Sequence, residues 1–184
     1  EQMPVDEEGQ IQSVSSGVTY DGAIWKVEVN VFWDSGKSQL TNTVTYTKVD
    51  KEGTPIIPSV VNNDKAEFTN IYGATGSWTP EGSKMLTGRT MKAEEEYTFS
   101  VKKDGTEVVV STGTAKSVQD VEEGEEVPIE FTPITYQLSD KGQTYTYTIE
   151  ENKTGTTIPG VSYDKTIYTV EVTVVDNGEG TLVP

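Results

Sequence analysis

Residues 17–31, GVTYDGAIWKVEVNV, return as GVSYDKTIYTVEVTV at 160–174, with nine of fifteen positions identical at a constant offset of 143. From the aromatic residue after the isoleucine onward each copy alternates apolar and polar side chains, the period of a strand with one buried face. One β module is therefore written twice, and any fold for the chain must hold two copies of the same strand. The spacing of the copies is uneven. About 40 residues follow the first, ending at Asn70, whereas the second runs out at Pro184. Each copy is thus expected to be incomplete, the first lacking strands before residue 1 and the second lacking a counterpart of 41–70.

The same alternation recurs along the chain, while no stretch of about a dozen residues holds a helical apolar stripe. In TYTYTIEE, Tyr145, Tyr147 and Ile149 share a face with Glu151, and Thr146, Thr148 and Glu150 share the other. EEYTFSVKKDGTEVVVS predicts a hairpin with Tyr97, Phe99 and Val101 inward and Asp104-Gly105 as a two-residue turn. VPIEFTPITY, TIYTVEVTVVD, AIWKVEVNVFWD, NTVTYTKVD and AEFTNIY add further strands. The acidic stretch SVQDVEEGEEV is a solvated connection, because its spacing matches no calcium loop. Asp34, Asp176, Asn177 and the repeated Tyr20-Asp21 and Tyr163-Asp164 pairs are read as turn formers.

Composition narrows the chemistry. Cysteine and histidine are both absent, which excludes disulfides, thiolate or histidine triads, and zinc-thiolate sites. A net charge of −16, from 30 acidic and 14 basic residues, repels phosphate backbones and anionic lipid, so neither nucleic acid nor a membrane surface is an expected partner. No apolar run approaches the roughly 20 residues that span a bilayer, so no membrane insertion is expected. The first 16 residues lack the basic start and apolar middle of a signal peptide, which fits a mature or excised segment.

Four pieces taken in order carry a resemblance: GSWTPEGSKMLTGR at a module start, YTYTIEE in its middle, GVSYDKTIYTVEVTVVDNGEGTL after that, and AEFTNIY at a module end. Together they resemble the isopeptide-linkage modules of Gram-positive pilins and surface adhesins, the FctA-like, immunoglobulin-related repeats. Nearly the whole chain is covered. The resemblance implies an all-β protein of immunoglobulin-like antiparallel β-sandwich modules in tandem, a strong extended spacer on a bacterial cell surface or cell wall. Its partners would be neighbouring modules or copies of itself in a fibre. Residues 1–72 would be the C-terminal part of a first module, 73–83 a connector, and 84–184 a second module lacking its last strands. That second module would be completed by 1–72 in cis or from a neighbouring subunit.

The resemblance further implies a spontaneous amide bond between a lysine on the first strand and an asparagine on the last, assisted by a buried acid on a middle strand. Carried over by motif, the lysine is Lys84 in SKMLTGR, the asparagine Asn70 in EFTN and the acid Glu151 in TIEE. Strand parity agrees, since Leu86 shares a face with Lys84, Phe68 with Asn70 and Ile149 with Glu151. Laying MPVDEE on YTIEE with Met3, Val5 and Glu7 inward makes Glu7 the acid of the first copy, one residue out of the strict offset; Glu8 is the ungapped alternative. Burial strips the ammonium of its hydration and favours a neutral, nucleophilic amine, while a carboxyl in the same dry pocket is pushed toward its protonated form. That acid can donate to the asparagine carbonyl and relay protons as ammonia leaves. The reaction runs once per module, so it is self-modification without turnover, and it needs no cofactor or metal.

Chain order departs from this pattern, because Asn70 precedes Lys84 and Glu151. Three arrangements satisfy the order: a fragment of a tandem array, holding the tail of one module and the head of the next; a permuted module closed in cis; and strand donation, in which Asn70 of one subunit completes the Lys84–Glu151 module of its neighbour. A second class of function is a β-sandwich domain that binds carbohydrate or a host protein, with Trp25, Trp33 and Trp78 as candidate aromatics, although packing is the better account of Trp25. A paired-carboxylate hydrolase is disfavoured, because Glu150 and Glu151 point to opposite faces.

Overall fold

The structure is a computed structural model that describes residues 14–56, 61–62, 64–153 and 157–184. The chain divides into two compact units, Glu1–Tyr72 and Gly73–Pro184. Both are all-β.

The first unit contains β1 (Val14–Ser15), β2 (Val18–Thr19), β3 (Ile24–Asp34), β4 (Gln39–Val49), β5 (Val61–Asn62) and β6 (Ile71–Tyr72). They form two antiparallel sheets, ordered β1-β2-β6 and β3-β4-β5. The hairpin β3–β4 pairs without interruption from Ile24↔Val49 to Asp34↔Gln39. Its turn is set by Asp34, whose Oδ1 accepts from the backbone of Gly36 and Lys37 at 2.9 and 3.2 Å. AEFTNIY was expected as one strand, but only Ile71–Tyr72 pairs. The residues before it bond elsewhere: Thr69 N donates to the Asp21 carboxylate, and Glu67 O accepts from the Trp25 indole. Phe68 and Asn70 are consequently exposed, against the parity expectation.

The second unit contains β7 (Thr75–Trp78), β8 (Ser83–Met85), β9 (Glu96–Lys103), β10 (Val109–Lys116), β11 (Glu126–Pro128), β12 (Glu130–Phe131), β13 (Ile134–Gln137), β14 (Thr144–Glu151), β15 (Ile167–Thr173), β16 (Val175–Asp176) and β17 (Leu182–Val183), with a 3-10 turn at Leu138–Asp140. A five-stranded sheet runs β12-β10-β9-β14-β15, and the pairs β11–β8, β13–β7 and β16–β17 form smaller sheets. Three expectations are corrected. The segment read as a connector, 73–83, carries β7, which pairs with β13 from Ile134↔Trp78 to Gln137↔Thr75. VPIEFTPITY splits into β11, β12 and β13 on three different partners, because Pro128 and Pro133 have no N–H to continue a ladder. The β9–β10 connection is five residues, 104–108, longer than a two-residue turn, although Gly105 does take the left-handed φ of 71° expected of its position.

The alternation in β9 is realised, with Tyr97, Phe99 and Val101 all buried. Tyr97 and Phe99 belong to a core with Leu86, Met91, Ala115 and Val127. A second group stacks aromatic rings: Trp78 on Tyr147, Tyr147 beside Tyr145, and Tyr145 on Tyr136. Its polar tips are satisfied, Tyr136 against the Tyr147 hydroxyl at 3.0 Å and Tyr145 donating to Asp140 at 2.6 Å. That last bond, followed by desolvation, pushes the Tyr145 hydroxyl up to about 12.

Where β17 returns to β7, backbone approaches backbone. A Cβ on Gly76 would lie 2.8 Å from both the carbonyl carbon and the Cβ of Leu182, and nearer still to its carbonyl oxygen. Leu182 is 2% exposed and cannot step aside freely. Gly76→Ala should therefore lower stability by about 1–3 kcal/mol through overpacking, read as a shifted denaturation midpoint. Wild-type stability would show that β17 does not cross there.

Candidate functional site

Lys84 is the middle residue of β8, opposite Val127 of β11. Alternation turns its side chain inward while Ser83 and Met85 stay outside, and Leu86 follows it into the core. The loop after β8 is pinned. Arg89 makes a two-pronged ion pair with Glu95 at 2.9 and 2.8 Å, and Gly88 N donates to Glu123 at 2.6 Å. The Arg89 guanidinium holds the Glu95 carboxyl below its ordinary range.

Glu151 comes from the last position of β14, opposite Phe99 of β9. It lies on the face that also carries Tyr147, both of them buried. Its neighbour Glu150 points the other way and pairs at 2.6 Å with Lys102, with both side chains partly exposed. The two inward residues meet across the sheets: Lys84 Nζ is 2.8 Å from Glu151 Oε1, with side chains 11% and 2% exposed. The ammonium also sits 4.8 Å from the centre of the Tyr97 ring, a cation–π distance.

The hydrogen bonding is asymmetric. Glu151 Oε2 accepts from Asp164 N at 2.7 Å, whereas Oε1 is buried without an aligned hydrogen bond, so its contact with Nζ is one of charge and distance. The Tyr97 hydroxyl is likewise buried without a partner, and its desolvation raises its pKa. Asp164 itself is held low, chiefly by the Thr166 N–H and hydroxyl, with Lys84 a smaller contributor. Lys84 also lines two open grooves of about 570 Å³ each, one toward the loop after β8 and one toward β15. Gly82 O accepts from Ile129 N, so alternate residues face β11 and the backbone of Ser83 and Met85 faces away from it.

Asn70 belongs to the first unit. Its Oδ1 accepts from Asp21 N at 3.0 Å, while Asp21 Oδ2 accepts from Thr69 N at 2.9 Å and Oδ1 from Ala23 N at 2.8 Å. Those two N–H groups, Thr69 first, hold the Asp21 carboxyl below its ordinary range. Glu7 and its alternative Glu8 lie outside the described residues. Among the tryptophans, Trp78 is stacked on Tyr147, Trp25 is half-buried and Trp33 is 61% exposed.

The sequence reading passed over three participants. Tyr97 was legible as a core position but not as the ring against the ammonium. Asp21 and Asp164 were legible as turns, and their presence in both copies was the signal that they do more.

The family model described as FctA, Spy0128-like isopeptide containing domain, matches residues 2–73 and 80–184. No curated protein and no solved structure matches the chain.

Proposed function

The chain belongs to the FctA family of Spy0128-like isopeptide-containing domains, and from that premise we propose that Lys84 is the nucleophile of a self-formed Lys–Asn crosslink and Glu151 its acid. The family is one of pilin-like domains of surface pili, structural and not a classical enzyme, found at the cell surface or outside the cell and assembled with other subunits into fibres. The observation that carries the finer reading is the buried contact of Lys84 Nζ and Glu151 Oε1 at 2.8 Å.

At that distance one proton can pass from ammonium to carboxylate. The shift replaces two charges in a dry site with a neutral amine and a neutral acid, relieving the desolvation cost of both. The amine then attacks the side-chain carbonyl carbon of an asparagine, forming a C–N bond. As the tetrahedral adduct collapses, the bond to the amide nitrogen breaks and that nitrogen leaves as ammonia with the proton supplied by Glu151, while the attacking nitrogen sheds one proton back to the Glu151 carboxylate. Phe99 opposite Glu151 and the Tyr97 ring beneath Lys84 keep water from stabilising the charged starting pair.

The internal repeat favours the tandem arrangement. Asn70 already engages Asp21, and Asp21 corresponds through the offset of 143 to Asp164, which touches Glu151. Asn70 is thus the asparagine of a first-module site whose acid is Glu7 or Glu8, and the asparagine that answers Lys84 comes from an equivalent strand in a following module or another copy. The bond would tie first strand to last, worth on the order of 3–5 kcal/mol by analogy with other loop-closing crosslinks. Force along a fibre would then meet a covalent link and not only a ladder of hydrogen bonds.

Mixing the chain with a peptide of residues 64–72, which carries Asn70, should yield an adduct on Lys84 whose mass is the sum of the two less about 17 Da, the ammonia lost. Lys84→Ala and Glu151→Gln should each abolish it. A monomer lighter by the same amount without peptide would assign the bond in cis, and a covalent ladder would assign it in trans. No adduct, no lighter monomer and no ladder would overturn the crosslink.

A further inference from the structure

The Tyr-Asp pair that survives in both copies has the same local geometry twice. In the first unit Asp21 Oδ1 accepts from Ala23 N at 2.8 Å; in the second Asp164 Oδ1 accepts from Thr166 N at 2.9 Å and from its hydroxyl at 2.7 Å. Residues 23 and 166 are themselves separated by the repeat offset of 143. The aspartate's own N–H bonds outside this turn in both copies, and in the first unit its second carboxylate oxygen does too.

What those two groups hold differs between the copies. In the first unit the Asp21 N–H holds Asn70 Oδ1 at 3.0 Å, and Oδ2 holds Thr69 N at 2.9 Å. Two adjacent residues of the asparagine-bearing segment are therefore gripped by one aspartate, one by donation and one by acceptance, across 49 positions of sequence. In the second unit the matching N–H is on Glu151 Oε2 at 2.7 Å, the carboxyl that contacts Lys84. One donor thus addresses the asparagine in one copy and the acid in the other.

We propose that the Tyr-Asp turn is the seat of the crosslink site: its aspartate N–H fixes and polarises the asparagine's amide oxygen, and its free carboxylate oxygen anchors the backbone N–H of the residue before it. The proposal deepens the crosslink reading and rests on it for the reaction, though the grip itself stands on the hydrogen bonds of the first unit. Asp21 and Asp164 are positioning residues. A donor on the amide oxygen draws electron density from the carbonyl carbon that the amine attacks and stabilises the oxyanion that forms. In the second unit, arrival of an asparagine strand would transfer the Asp164 N–H from Glu151 Oε2 to the incoming amide oxygen. That transfer frees the acid for proton relay as the electrophile arrives, so seating and activation occur together. The occupant this seat takes is an extended segment with the chemistry of Thr69–Asn70, a backbone N–H followed by a side-chain amide.

The grip is tested by amide hydrogen exchange on the full chain, whether or not any crosslink forms. Asn70→Ala should speed exchange at the Asp21 amide about tenfold, the loss of one hydrogen bond. Asn70→Asp, which keeps an oxygen acceptor in the same place, should preserve the protection. Asp21→Asn should speed exchange at the Thr69 amide, because an amide nitrogen cannot accept there. Equal Asp21 exchange in wild type and Asn70→Ala would overturn the grip. In the peptide reaction, Asp164→Asn should raise the concentration of the 64–72 peptide needed for half-maximal rate about tenfold while leaving the pH profile unchanged; an unchanged peptide requirement would overturn the carry-over to the second unit. Failure of the wild-type chain to form any adduct would instead strike the crosslink reading, with the exchange result still judging the seat.

Discussion

Lys84→Ala should destabilise residues 73–184 by about 3–5 kcal/mol, the cost of leaving a buried carboxylate unpaired. The Glu151 side chain is 2% exposed and has one aligned donor, Asp164 N, on Oε2. Without the ammonium, Oε1 keeps neither charge partner nor hydrogen bond. Burial alone does not make the pair stabilising. Both groups gave up hydration to reach the site, and replacing both with apolar side chains of like volume should restore stability or raise it. The double variant Lys84→Met with Glu151→Leu should therefore be at least as stable as wild type, while giving none of the proposed adduct. Hydrogen exchange of the β9 and β14 amides under denaturant separates this unit from the first. A single variant that costs under about 1 kcal/mol, or a double variant as weak as the single, would mean that the pair is hydrated. The contrast bears on function: a pair whose removal stabilises the fold is kept for its chemistry.

The inward placement of Lys84 and Glu151 was legible because alternation is a property of the strand alone. Leu86 and Ile149 mark the apolar side, and the polar residue two positions away must share it. Coverage of that side is not local. Val29 and Val31 repeat as Val172 and Val174, yet the first two are 56% and 63% exposed and the second two 5% and 0%. Identical residues at corresponding positions are covered in one copy and exposed in the other, and no strand pattern encodes its own cover. AEFTNIY failed for a different reason. Its apolar spacing suits a strand, but the Asp21 carboxylate offers the Thr69 N–H a competing partner 48 residues away, which propensity cannot see. The Tyr-Asp pair was readable as a turn from Asx chemistry, while its second and third hydrogen bonds depend on segments distant in sequence. VPIEFTPITY carried its correction in plain view, since two prolines within one expected strand argue against a single ladder.

Tyr97 separates packing from chemistry at the same site. Its ring is fully buried among Leu86, Met91 and Phe99 and lies beneath the Lys84 ammonium, so Tyr97→Ala should cost about 3–5 kcal/mol in lost burial and cavity. The hydroxyl is another matter. It is buried with no hydrogen-bond partner, a condition that costs stability because the group gave up water and received nothing in exchange. Tyr97→Phe should therefore match wild type or exceed it by about 1 kcal/mol, since phenylalanine keeps the ring face and its attraction for the cation. The two variants should also differ in reactivity. Phenylalanine preserves the dry wall that disfavours the charged Lys84–Glu151 pair, so the adduct with the 64–72 peptide should form at nearly the wild-type rate. Alanine opens the site to water, stabilises the ammonium and should slow the reaction sharply. Denaturant midpoints and adduct rates measured on the same two proteins decide the point: a Tyr97→Phe variant that loses both stability and reactivity would show that the hydroxyl, not the ring, supports the amine.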